Sequence, residues 1–166
     1  ASAESTNFTV LRLKRDILRR STVGGIFTNR SVSTRGHGSS RTYGVDSTFA
    51  FYDNLSMLGY LAKTETPGLT DKDSSYQGKF DYAADRYGFQ VDHLFVEDNF
   101  VPDVGFVRRD NFRRTFIEGR FSPRPQSIEL VRQFSLTGST DYILIADTNI
   151  LETRLNQFRL NTQFET

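Results

Sequence analysis

Polar and apolar residues alternate with a period of two along most of this chain, and that alternation leaves few folds open. In the stretch YQGKFDYAA, residues 76–84, Tyr76, Gly78, Phe80, Tyr82 and Ala84 fall on one side and Gln77, Lys79 and Asp81 on the other. Successive side chains of an extended strand point to opposite faces, whereas a helix would scatter these rings around its circumference. Helical periodicity is nearly absent elsewhere. The pattern predicts nine strands, at about 8–15, 22–31, 43–52, 55–64, 76–84, 87–96, 112–121, 128–142 and 150–164. The last two are each near fifteen residues, well beyond the usual ~5–6 of globular strands.

Short turns (16–20, 53–54, 85–86, 122–127) separate long loops (32–42, 65–75, 97–111). Membrane β-barrels connect their strands in this way. The alternation is already running at Phe8 and still running at Phe164, and nine is an odd number for a bacterial barrel. The fold class expected is therefore all-β: an antiparallel up-and-down meander of about nine long strands. Residues 1–166 are read as a single segment of an outer-membrane-type β-barrel, cut at both ends from a larger barrel domain.

Composition narrows the alternatives. A formal net charge of +1 gives total charge no bias toward nucleic acid, and none is expected as a partner. With no Cys, neither a disulfide nor a thiolate site can form. No apolar run approaches the ~18 residues of a membrane helix, and the longest is 142–146. That excludes a helical membrane protein and leaves a β-barrel open, because barrel strands need only alternate. Fifteen Phe and seven Tyr can fill a soluble core or coat a barrel. Among the cations 17 are Arg and four are Lys (Lys14, Lys63, Lys72, Lys79). Arg presents a planar fork of donors, which suits ion pairs in a confined polar space.

Three stretches carry a resemblance: VLRLKRDILRRSTVGGIFTNRSVS, YGVDSTFAFYDNL, and the long run FDYAADRYGFQVDHLFVEDNFVPDVGFVRRDNFRRTFIEGRFSPRP. Together they resemble a family of large, uncharacterised bacterial proteins. In that family a carbohydrate-binding-like β-sandwich of the family-nine type precedes a C-terminal domain similar to an outer-membrane barrel. The similarity covers 10–164 and only the barrel-like domain. Its most specific motif is Asn99-Phe100, Pro102 and Gly105-Phe106-Val107-Arg108-Arg109, followed by Gly24-Gly25 with Asn29-Arg30. The resemblance implies a bacterial outer-membrane location. It also implies partners in outer-membrane lipid, in a glycan or oligosaccharide, and in the remaining strands and N-terminal domain of the same protein.

Two groups of side chains are candidates for function. The first is a binding or gating loop made of Asn99, Phe100, Pro102, Asp103, Gly105, Phe106, Arg108 and Arg109. Here Pro102 fixes one dihedral, Gly105 is read as supplying a positive φ, and Phe100 and Phe106 are read as anchors. The second is a lumen ion-pair ladder made of Lys79, Asp81, Asp92, Arg114, Glu118 and Arg120. Alternation puts these on one face, where they either select solutes or neutralise one another. No catalytic residue, metal site or cofactor is expected. His37 and His93 lack partners at ligand spacing, and the carboxylates of Asp98, Asp103 and Glu118 have no separation that sequence can fix.

The leading expectation is a barrel whose Phe49, Phe51, Phe80, Tyr82, Phe89, Ile117 and Phe121 face lipid while Arg, Asp, Gln and Thr line the interior. It would serve solute passage or surface display. The alternative is a soluble β-sandwich that binds carbohydrate or processes glycosides.

Overall fold

The computed structural model describes residues 5–128 and 130–165. Nine strands form one sheet: β1 (Phe8–Ile17), β2 (Ser21–Arg30), β3 (Ser40–Phe51), β4 (Leu55–Glu65), β5 (Ser74–Ala83), β6 (Tyr87–Val96), β7 (Phe112–Phe121), β8 (Val131–Ile145) and β9 (Leu151–Phe164). Each strand pairs antiparallel with its neighbours in sequence, in the order β1 to β9. The sheet is not closed. Among the described residues β1 and β9 have one partner each, and there is neither a second sheet nor a helix.

β6 and β7 fall where the alternation puts them. β8 differs, beginning at Val131 and running on to Ile145. A turn in which the Val131 amide donates to the Ile128 carbonyl (3.1 Å) delays its start. Its end was hidden because the run YILI is apolar on both sides, so no change of period marks where pairing stops. Register continues through Ile143 opposite Arg114 and Ile145 opposite Phe112.

Cross-strand register sorts side chains onto two faces. One face carries Phe49, Met57, Phe80, Val91 and Ile117 in a single row across β3 to β7. A parallel row holds Phe51, Leu55, Tyr82, Phe89 and Gly119. The opposite face carries Asp46, Gln77, Lys79, Asp92, Arg114, Glu118 and Asp141. β1 contributes Leu11 and Leu13 to the apolar face. Its Phe8 and Val10 lie with Arg12 and Lys14 on the polar one.

Neither face of the sheet is covered like the interior of a globular protein. On the apolar face Phe89 is 46% exposed and Ile117 39%. On the polar face of β5 to β7, Lys79, Asp81, Asp92, Arg114, Glu118 and Arg120 are all partly covered. Total accessible surface is 11399 Å², against about 8,400 Å² for a compact monomer of this mass. The only buried apolar side chains among the described residues are Val96 and Phe100. The buried set is instead a group of hydroxyls: Thr28, Ser33, Ser40, Thr42, Thr64, Thr66 and Ser75 gather where β2 to β5 meet the long loops, and Ser21 and Ser122 lie at the turn end.

Candidate functional site

The connections 18–20, 52–54, 84–86 and 122–130 lie at one end of the sheet. Those at 31–39, 66–73, 97–111 and 146–150 lie at the other. The first end has three-residue turns, apart from the proline-containing 122–130. The second has the loops, and 97–111 is the one that binds them together.

That loop leaves β6 and runs back over the polar face. The Asn99 amide donates to the Lys72 carbonyl (2.8 Å), and its side chain donates to the Asp71 carbonyl (2.9 Å). These contacts meet Asp71 and Lys72 where both take positive φ, leaving their carbonyls turned out of the local ladder. Thr64 comes next. Its side chain belongs to the polar face, and its hydroxyl oxygen accepts from the Val101 amide at 3.1 Å. Thr64 is 0% exposed and Phe100, beside this contact, is 7% exposed.

The loop then reaches the β2–β3 connection. The Asp103 carboxylate accepts from the Ser33 hydroxyl (3.1 Å), from the Thr34 amide (3.2 Å) and from the Thr34 hydroxyl. Burial alone would raise this carboxyl, but the hydrogen bonds from Thr34 and Ser33 outweigh it. They hold its pKa below the usual carboxylate value. On the return, the Asp147 amide donates to the side chain of Asn111 (3.1 Å), and Asp147 also accepts from Lys72 Nζ (2.7 Å). One loop thus ties together all three other connections at its end.

Two expectations about this loop are corrected. Gly105 does not take a positive φ; among the described glycines only Gly38 and Gly68 do. Gly105 closes a turn by donating its amide to the Pro102 carbonyl (2.8 Å), and a Cβ there would stand 3.3 Å from the Pro102 ring. The position asks for a small residue, and the handedness of its backbone is ordinary. Phe106 is no anchor either, being 86% exposed. Phe100 alone is pinned. Arg109 pairs with Glu152 and lies over the Phe112 ring, whereas the Arg108 guanidinium is exposed and has no partner among the described residues.

Lys79, Asp81, Asp92, Arg114, Glu118 and Arg120 do share one face, but they do not pair into a ladder. Lys79 stands opposite Asp92 in register, yet the Asp92 carboxylate accepts from Gln77 Nε2 at 2.8 Å. Asp81 faces Gln90, which faces Glu118. Arg114 makes a forked contact with Asp141, Nη2 at 2.7 Å and Nε at 2.8 Å. Arg120 turns toward the sheet end, where it caps the Ala84 and Asp85 carbonyls. Sequence reasoning missed Asp141 and the Arg12–Asp46 pair. Both are partners across strands, and only register reveals them.

The glycines of this face make room for the arginines. Gly24 lies between β1 and Asp46, and a Cβ on it would come within 2.9 Å of Arg12 Nη2. Its absence lets the Arg12 side chain cross β2 to reach the Asp46 carboxylate on β3. Gly88 does the same for Arg120, whose Nε would lie 3.0 Å from an added Cβ.

His93 sits on the apolar face, where its Nδ1 is 2.8 Å from the Thr115 hydroxyl, as a satisfied strand histidine. The Asp103 carboxylate is committed to Ser33 and Thr34, while Glu118 belongs to the row with Gln90 and Ser139. No family model, no curated protein and no solved structure matches this chain.

Proposed function

We propose that this sheet is a section of the wall of an outer-membrane β-barrel, with a polar, Arg-rich lumen narrowed by loop 97–111. Its role is solute passage or surface display. The observation that carries the reading is an apolar face, continuous across β3 to β7, that nothing else in the described chain covers. Along the middle of β3 to β7 large apolar side chains line that face and the ionised ones Lys79, Asp81, Asp92, Arg114 and Glu118 the other, which suits a hydrocarbon exterior and a wet interior. A water-soluble sandwich would require a second sheet over Phe80, Tyr82 and Phe89.

Three further features support it. β1 to β7 are 10–12 residues long, close to the ~9–11 that a tilted strand needs to cross a bilayer. Aromatic rings gather toward the two edges of the apolar face, with Tyr76 against Phe95 (5.1 Å) near the loops and Tyr87 against Phe121 (5.4 Å) near the turns. From Phe95 to Tyr87 is about 27 Å along the strand, or about 20 Å of height at a tilt of ~40°, near the ~25 Å apolar band between aromatic girdles. Finally, loop 97–111 lies against the polar face, where a barrel places a constricting loop.

β1 and β9 run in the same direction, so antiparallel closure calls for an odd number of additional strands. The resemblance of the 99–109 series to barrel domains that follow a carbohydrate-binding-like sandwich makes a glycan the favoured solute or displayed partner.

The chain contains neither Trp nor Cys, so one introduced Trp reports on one place. Phe89→Trp should fluoresce blue-shifted in vesicles and be quenched by bromine-labelled lipid tails. Gln90→Trp, its neighbour on the other face, should be quenched by aqueous acrylamide instead. Equal quenching of both by acrylamide would overturn the reading. Native protein should also migrate differently on a gel before and after heating.

A further inference from the structure

At the turn end, where the apolar face stops, one arginine is seated on aromatic rings. Arg86 lies in the turn 84–86, with its guanidinium over two ring faces, Tyr87 at 5.7 Å and Phe121 at 5.5 Å. The two rings are themselves stacked. A guanidinium seated on aromatic faces is oriented by them, while its N–H fork stays free at the edge.

The turn is braced on several sides. The Ser122 amide donates to the Arg86 carbonyl (2.7 Å), and Arg120 reaches across Gly88 to cap the Ala84 and Asp85 carbonyls. Asp85 is the carboxylate nearest in sequence to Arg86, and it is already engaged by Arg124 at 2.7 Å. The Arg86 guanidinium is therefore a fixed cation, exposed, and without a carboxylate partner among the described residues.

We infer that Arg86, on its Tyr87–Phe121 platform, is a binding site for the phosphate of an anionic membrane phospholipid in the leaflet at the turn end. This rests on the barrel reading, which supplies the bilayer; the site itself stands on the geometry of the turn. The platform is part of the apolar face, so the phosphate would arrive on a molecule whose tails cover Phe89 and Phe121. The fork of an Arg suits phosphate oxygens.

The test is native mass spectrometry of the full chain released from detergent micelles doped with dioleoylphosphatidylglycerol, alongside gel mobility to score insertion. Wild type should retain bound phosphatidylglycerol, and Arg86→Gln should retain about fivefold less, the scale of one basic residue at an anionic surface. Arg86→Lys should recover part of the loss. Arg124→Gln, which releases Asp85 to compete for Arg86, should also lower retention, and Asp85→Asn added to it should restore it. An inserted Arg86→Gln chain that retains as much lipid as wild type would overturn this inference and leave the barrel reading standing. A wild-type chain that retains no phosphatidylglycerol overturns this inference, whereas equal quenching of Phe89→Trp and Gln90→Trp by acrylamide overturns the barrel reading beneath it. Loss of retention in millimolar inorganic phosphate would assign the site to free phosphate and overturn the lipid assignment, and dioleoylphosphatidylcholine retained as well as phosphatidylglycerol would overturn the assignment to an anionic lipid.

Discussion

The two faces of the sheet treat glycine in opposite ways. On the sheltered face, Gly24, Gly44 and Gly88 are crowded, with an added Cβ meeting Arg12, Ile26 or Arg120 at 2.9–3.0 Å. On the exposed face, an added Cβ at Gly78, Gly119 or Gly138 would meet nothing within 4 Å. The sheltered face is thus fitted side chain to side chain like an interior, although two of these three contacts are to arginines. The exposed face is an apolar surface with no fitted neighbour in the chain itself. In a soluble protein the fitted side is the apolar one.

The largest test of that contrast is a charge moved from one face to the other. Val91 lies mid-way along β6 on the apolar face, in the row with Phe80 and Ile117, and Gln90 beside it points to the polar side. Val91→Arg should cost about 2–4 kcal/mol of stability in a bilayer, the range for Arg at the midplane of a barrel exterior. Gln90→Arg should lie within about 0.5 kcal/mol of wild type. Urea unfolding of vesicle-inserted protein would measure both, and equal costs would mean that the two faces see the same solvent.

Next in size is the seat of loop 97–111. Thr64→Val keeps the shape of the side chain and removes the hydroxyl, leaving the Val101 amide unpaired in a buried place. The expected loss is about 1–3 kcal/mol. Thr115→Val, on the exposed face, releases only the hydrogen bond to His93 and should cost less. Hydrogen exchange at Val101 would separate local release of the loop from global unfolding.

The sheet itself was legible because alternation needs only local sequence. β6 and β7 could be placed to the residue, and Phe80, Tyr82, Phe89 and Ile117 could be assigned to one side. The site was less so. Arg114 could be placed on the polar face, but its partner Asp141 sits across β7–β8 in a pairing fixed by register, which no local pattern encodes. Gly24 reads as a weak point in a strand until Arg12 is seen crossing over it. The PDVGF motif announces a turn, yet whether Phe100 or Phe106 goes inside depends on Thr64, far away in sequence. Loop 97–111 is held by contacts to three other connections, and long-range contacts of that kind leave no periodic trace.

A smaller effect follows from Asp103. Its carboxyl is held below the ordinary value, so it binds a proton less readily folded than unfolded. Its contribution is fully present above the ordinary carboxylate pKa of ~4 and is lost as pH falls through the depressed value. Loop 97–111 should therefore loosen below pH ~4 while the strands remain paired. Phe106→Trp gives an anisotropy signal for this, starting from an exposed position. Asp103→Asn in that background should show the loosened signal at neutral pH and lose the acid transition. An acid transition unchanged by Asp103→Asn would place the responsible group elsewhere.

The smallest effect is the most direct probe of the open glycines. Gly78 has an ordinary extended backbone and free space where its Cβ would stand, so Gly78→Ala restricts the unfolded chain without straining the folded one. Such a change typically stabilises by about 0.4–1 kcal/mol. Gly24→Ala, on the other face, should destabilise, because an added Cβ meets the Arg12 guanidinium and drives it off Asp46. The opposite signs of two chemically identical substitutions would be the signature of one fitted face and one unfitted face. If Gly78→Ala destabilised instead, another backbone must approach β4 and β5 at the Gly59–Gly78 pair, and this part of the apolar face would be a protein contact in place of a lipid-facing surface.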